Sequence, residues 1–171
     1  MEIVFQKVST NEKIKIILLD IIALAVVFLV PAFAHKFSFP LYLAEPLRIM
    51  LVLAILHTRK ENAYLLALSL PLVSYLISGH PVFFKMLIIE VELIFNVWLF
   101  IDLLKRFNSL FLPMFVSIIV SKVVYYIIQF LFLHYGLLTI GEIEHALLPQ
   151  IIMIVIFSIY SYIILRKKSI K

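Results

Sequence analysis

Residues 85–105 read KMLIIEVELIFNVWLFIDLLK, and what this stretch does with its polar groups decides the fold. As a helix it is long enough to cross a bilayer of ~30 Å hydrocarbon thickness, yet Glu90, Glu92 and Asn96 lie in its middle. At ~100° per helical residue, Lys85, Glu92 and Asn96 share one face, while Glu90 points almost the opposite way. A carboxylate at mid-bilayer costs ~2.5–3.5 kcal/mol on insertion scales, so it faces protein or a watery cavity and finds a partner. The expected partner of Glu92 is Lys122, in the next apolar segment.

The rest of the chain is of the same kind. It is 64% hydrophobic, where soluble domains use about 45–50% apolar residues. A chain of 171 residues cannot bury that much apolar surface against itself. The remainder is therefore expected to face lipid. No cleavable signal sequence is evident, because the first apolar segment is followed by Pro31 and His35 rather than a small-residue cleavage site. The absence of cysteine excludes disulfides and thiolate metal sites.

The net charge of +5 is a signal of topology rather than of nucleic-acid binding. Lys7, Lys13, Lys15, Arg59, Lys60, Lys105, Arg106, Arg166, Lys167, Lys168 and Lys171 all fall in the termini or in alternate connections. That bias places both termini in the cytoplasm. No contiguous basic and aromatic surface remains for a nucleic acid.

In order, the chain reads as a cytoplasmic leader (1–13), a single transmembrane domain (14–166) and a basic cytoplasmic tail (167–171). The spacing predicts helices over 13–34, 47–57, 62–78, 82–105, 109–134 and 145–165. The fold class is thus an all-α integral membrane protein, with six transmembrane helices and both ends inside. Pro31 is expected to kink or end the first helix. Asp20 sits within reach of the interface or the nearby lysines. Residues 35–45, HKFSFPLYLAE, are too apolar for an ordinary outer loop, and Pro40 and Pro46 prevent a continuous helix. An extended segment dipping back over the outer face is expected, either as an aromatic interfacial anchor or as a lid built on Phe39 and Tyr42. Gly79, His80 and Pro81 make the next outer turn.

Ionisable groups inside a membrane are functional candidates by default. Counting ~1.5 Å per residue from the inner ends puts Glu92 and Lys122 at similar depth. Tyr125, Tyr126 and Gln129 lie within an arc of ~100° of Lys122. Two readings stand for the Glu92–Lys122 pair: contact with a ligand, or a buried ion pair that fixes helix register. Arg48 suits an anionic ligand group, or else it snorkels to the outer interface. His35, His80 and His134 share the outer side without ligand spacing, so no metal site is expected. Residues 57–61, HTRKE, are not H-E-x-x-H, and no G-x-S-x-G occurs, so no enzyme activity and no cofactor are expected.

Four stretches carry a family resemblance: PLRIMLVLAIL (46–56), ENAYLLALSLPLVSYLISGHPVF (61–83), IEVELIFNVWLF (89–100) and VSKVVYYIIQ (120–129). Over residues 31–129 the chain resembles the substrate-binding S components of energy-coupling-factor (ECF) vitamin transporters. Arg48, Pro71, Gly79-His80-Pro81, Glu92 with Asn96, and Ser121-Lys122 occupy the places of the family pattern. The resemblance implies a multi-pass subunit of the bacterial cytoplasmic membrane that captures a vitamin-like small-molecule micronutrient on the outer side. Phe39, Tyr42, Arg48, His80, Glu92, Asn96, Lys122, Tyr126 and Gln129 are the candidate binding residues. It also implies a transmembrane coupling subunit and two cytoplasmic ATPase subunits as partners, in keeping with the absence of a G-x-x-x-x-G-K-[ST] loop here. The competing reading is a structural six-helix membrane protein of a cell-shape or envelope assembly, resembling the rod-shape-determining membrane subunit, which needs no ligand cavity.

Overall fold

The computed structural model describes residues 10–37, 45–79, 81–139 and 147–169, and among these the chain is all-helical. The helices are α1 (Thr10–Phe37), α2 (Pro46–His57), α3 (Lys60–Ser78), α4 (Phe83–Arg106), α5 (Leu112–His134) and α6 (Leu147–Ser169). Each boundary lies within four residues of its expected place.

One shift is instructive. α1 does not end at Pro31 but runs on to Phe37, so His35 to Phe37 are helical rather than part of an extended loop. A proline withdraws one N–H from the i→i−4 ladder. Here the helix continues for six residues past the proline, to Phe37. Pro71 is likewise accommodated inside α3, where it is buried.

The local signals at the ends are legible in physical terms. α2 starts with Pro46, at a position where no backbone N–H is needed. Thr58 closes α2 by donating both its N–H, at 2.9 Å, and its hydroxyl, at 2.7 Å, to the Ala54 carbonyl. Gly79 ends α3 in the left-handed region (φ 65°) and donates its N–H to Tyr75 at 2.8 Å. Lys105 and Arg106 sit in the last turn of α4, where the helix dipole favours them.

α4 is the spine of the bundle. It packs most extensively on α5 and next on α3, while the short α2 touches α1, α3, α4 and α6. One apolar cluster joins α1 to α4 through Ala23, Ala54, Ala63 and Ala67, small residues that let backbones approach closely. A second joins α2, α4, α5 and α6 around Leu56, Phe100, Met114, Ile118 and Phe157.

The outward faces invert the usual pattern. Ile17, Phe28, Leu76, Trp98, Phe130 and Leu148 are exposed, whereas Arg48, Lys85 and Glu92 are buried. Exposed apolar surface on this scale marks a face that meets something other than water. Among the described residues two helices, Leu112–His134 and Leu148–Lys167, are long and apolar enough to cross a membrane.

Candidate functional site

The site begins with the length of α2. Its 12 residues span about 18 Å, against about 36 Å for the 24 residues of α4. A helix that short starts part of the way down its neighbours. Its first turn therefore meets the middle of α4 and α5 rather than their ends. Arg48 lies in that turn, and the periodicity of α4 turns Lys85, Glu92 and Asn96 inward, all of them buried.

Four charges meet there. An Arg48 Nη2 donor is hydrogen-bonded to Glu92 Oε1. Arg48 Nε lies 3.0 Å from Glu45 Oε2, and Lys122 Nζ lies 2.8 Å from Glu45 Oε1 and 3.4 Å from Glu92 Oε1. Cations and anions thus alternate around a closed, formally neutral ring. Arg48 and Glu92 are only 2% and 3% exposed, and the side chains of Lys122 and Glu45 13% and 14%. Removing such ions from water costs several kcal/mol each, and mutual pairing is what offsets it. The Lys122 ammonium also stands 5.3 Å from the centre of the Tyr125 ring, within cation–π range.

The pairing is uneven in quality. Arg48 Nε and Glu45 Oε1 sit at ion-pair distance from their partners without the alignment of a hydrogen bond. Arg48 Nη1 has no hydrogen-bond partner among the described residues.

Neutral polar groups continue the site along α5. Asn96 Nδ2 donates to Ser117 Oγ at 3.1 Å, and Ser117 donates to the Met114 carbonyl at 3.0 Å. Asn96 Oδ1 has no partner among the described residues. Tyr126 donates to Gln150 Oε1 of α6 at 2.7 Å, and Gln129 is buried one turn further on.

Of the residues singled out in the sequence, Arg48, Glu92 and Lys122 are brought into direct contact. Asn96 stands one helical turn from Glu92, while Tyr126 and Gln129 lie along α5 beyond Lys122. Phe39, Tyr42 and His80 fall outside the described residues, so the lid expected of the first two has no structural account. The snorkelling reading of Arg48 is corrected: the side chain turns into the bundle and bonds Glu92. Lys122 does approach Glu92, but Arg48 is the nearer cation and Glu45 is the nearer anion to Lys122.

Glu45 is the residue that sequence reasoning missed. It looked like the end of an outer loop. The available signal was its spacing from Arg48, since residues three apart meet across one helical turn. Asp20 was expected at the lysines or the interface, and instead accepts a hydrogen bond from Asn62 Nδ2 at 3.1 Å. Among the described residues no group of three or more histidine or acidic side chains is placed to hold a metal ion.

Comparison with family models, with curated proteins and with solved structures finds no match for this chain.

Proposed function

We propose that this chain is a six-pass membrane protein with both termini in the cytoplasm, and that it captures a small, vitamin-like molecule from the outer side for uptake. The observation that carries this reading is the ring of Glu45, Arg48, Glu92 and Lys122, held inside a bundle whose outward faces are apolar. Ionisable groups so placed are rare and costly, and they mark substrate or ion paths more often than plain structure. Arg59, Lys60, Lys105, Arg106, Arg166 and Lys167 gather at the helix ends that this topology puts inside. With no nucleotide-binding loop of its own, the subunit draws its energy from a transmembrane coupling partner and two cytoplasmic ATPases, as in the ECF transporters it resembles.

One observation favours a second reading. All four charges of the ring have ionic partners, as expected of a pin that fixes helix register in a scaffold such as the rod-shape-determining membrane subunit. Mass spectrometry of small molecules extracted from the gently purified protein separates the two. A single compound recovered in near-equal amount with the protein, and raising its melting temperature when added back, is the expected result. A protein that carries no compound, and is stabilised by none of a panel of water-soluble vitamins, belongs to the scaffold reading. For topology, a cysteine placed at Ser169 should be protected from an impermeant thiol reagent in intact cells, and labelling from outside would overturn the inside–inside arrangement.

A further inference from the structure

Glu45 differs from the other three charges of the ring in how it is held. Arg48, Glu92 and Lys122 project from helices, whereas Glu45 immediately precedes α2 with φ 49° and ψ 59°. It is the one non-glycine residue with positive φ among those described. A side chain with a Cβ rarely adopts this left-handed region without something to hold it there. The Glu45 side chain does not cap α2. Both its oxygens are turned instead to the cations, at 3.0 Å from Arg48 Nε and 2.8 Å from Lys122 Nζ. Those two contacts are ionic, since Arg48 Nε and Glu45 Oε1 are not aligned for hydrogen bonds. Glu92, in contrast, accepts a hydrogen bond from Arg48 out of the middle of a helix.

The donors leave room for another group, and the charge balance allows it only in exchange for Glu45. Glu92 balances one of the two cations, so the second positive charge is balanced by Glu45 alone. A guanidinium offers five N–H donors in a rigid fork suited to the two oxygens of a carboxylate. Two of those five N–H groups, on Arg48 Nη1, are buried with no hydrogen-bond partner among the described residues. Buried donors are normally satisfied, and one that is not points to a missing acceptor. The short α2 adds to this by bringing the positive end of its dipole to the ring, as interrupted helices do at anionic substrate groups.

We propose that Glu45 is an internal stand-in for a carboxylate of the captured molecule. The ligand's carboxylate takes the place of Glu45 between Arg48 and Lys122 and accepts a further hydrogen bond from Arg48 Nη1. Glu45 swings out and leaves the left-handed conformation. The exchange conserves charge, so the ring stays neutral with and without ligand, and Glu92 remains in place as the fixed counter-ion. The inference rests on the capture reading and narrows it to acidic molecules.

The test uses the full-length protein in detergent, with acetate as the carboxylate probe and chloride at equal ionic strength as the reference. Glu45→Gln removes the competing carboxylate, and Glu45→Asn does so with a residue that tolerates the left-handed region. Both variants should melt below the wild type in chloride and regain stability in acetate. Their half-saturating acetate concentration should be at least ~tenfold below that of the wild type, because the competing state is gone. Adding Lys122→Met to Glu45→Gln should abolish the acetate response. An equal effect of acetate on wild type and variants, or none beyond chloride on either variant, would overturn the stand-in. So would recovery of a co-purifying compound without an acidic group, which would leave the capture reading intact.

Discussion

At its first turn α2 offers Arg48 to a ring of charges almost closed to solvent, and at its last turn it offers His57 to Tyr160 in the open, at 2.8 Å. Near that second end Asn62 of α3 bridges Asp20 at 3.1 Å and Thr58 at 3.4 Å, so the contacts there run between neutral groups or lean on a single half-buried carboxylate. One short helix is thus pinned at both ends by polar contacts of opposite character. The difference teaches what burial does to a polar interaction. Where water can replace a lost partner, the contact is worth little beyond its geometry. Where it cannot, each charge depends on every other, and the cost of removing one far exceeds the value of keeping the set.

The comparison is most exposed to failure at Glu92. Glu92→Gln deprives Arg48 of its hydrogen-bonded anion and Lys122 of one of its two, and leaves the ring with an excess positive charge. A loss of about 3–5 kcal/mol is expected. Lys122→Met should cost a similar amount by leaving an excess of negative charge. The double variant keeps Arg48 with Glu45, a neutral pair, and should recover much of the stability. Unfolding measured on all four proteins decides it. Losses that simply add would mean that the ring is not a coupled unit.

That coupling also shows where the sequence stopped speaking. The face of α4 was legible because three polar residues in an apolar helix can be phased at ~100° each. The midpoint of α5 was legible because Lys122 is the only Asp, Glu, Lys or Arg in residues 107–133. Arg48 was legible as a residue at depth, but not its direction, since a long cationic side chain at a helix start can turn either way. Glu45 was legible only as a residue three positions from Arg48, which does not by itself point to a ring. Its role depends on a backbone conformation, φ 49°, that no propensity predicts for glutamate, and on α2 starting level with the middle of α4. Pro31 failed as a stop signal because a proline withdraws only one N–H from the ladder, and the helix runs on past it to Phe37.

Asn96 separates charge from depth. It is fully buried, as Glu92 nearly is, but it carries no charge and makes one hydrogen bond, to Ser117. Asn96→Ala removes that bond together with an amide oxygen that has no partner among the described residues, and Ser117 keeps its bond to the Met114 carbonyl. No new orphan is created, so a loss of about 1 kcal/mol is expected. Chemical unfolding of this variant beside Glu92→Gln gives the ratio directly. Equal losses would make depth alone responsible and would remove charge from the account.

The smallest effect belongs to the exposed end. In Tyr160→Phe the hydrogen bond to His57 Nε2 is lost, while the ring itself, 6.1 Å from the imidazole centre to centre and tilted at 44°, remains to pack. The hydroxyl can donate to or accept from the imidazole, so the contact does not depend on which ring nitrogen carries the proton. His57 is exposed, and water can take the place of the lost hydroxyl. A change within about 0.5 kcal/mol is therefore expected, the range of ordinary surface substitutions. Melting temperatures of the variant and the wild type, taken under the same conditions as the Glu92 series, provide the comparison. A loss approaching that of Glu92→Gln would mean that water does not reach this contact in the working protein. The two ends of α2 would then differ only in the sign and number of their charges, and the contrast between sealed and open pinning would fall.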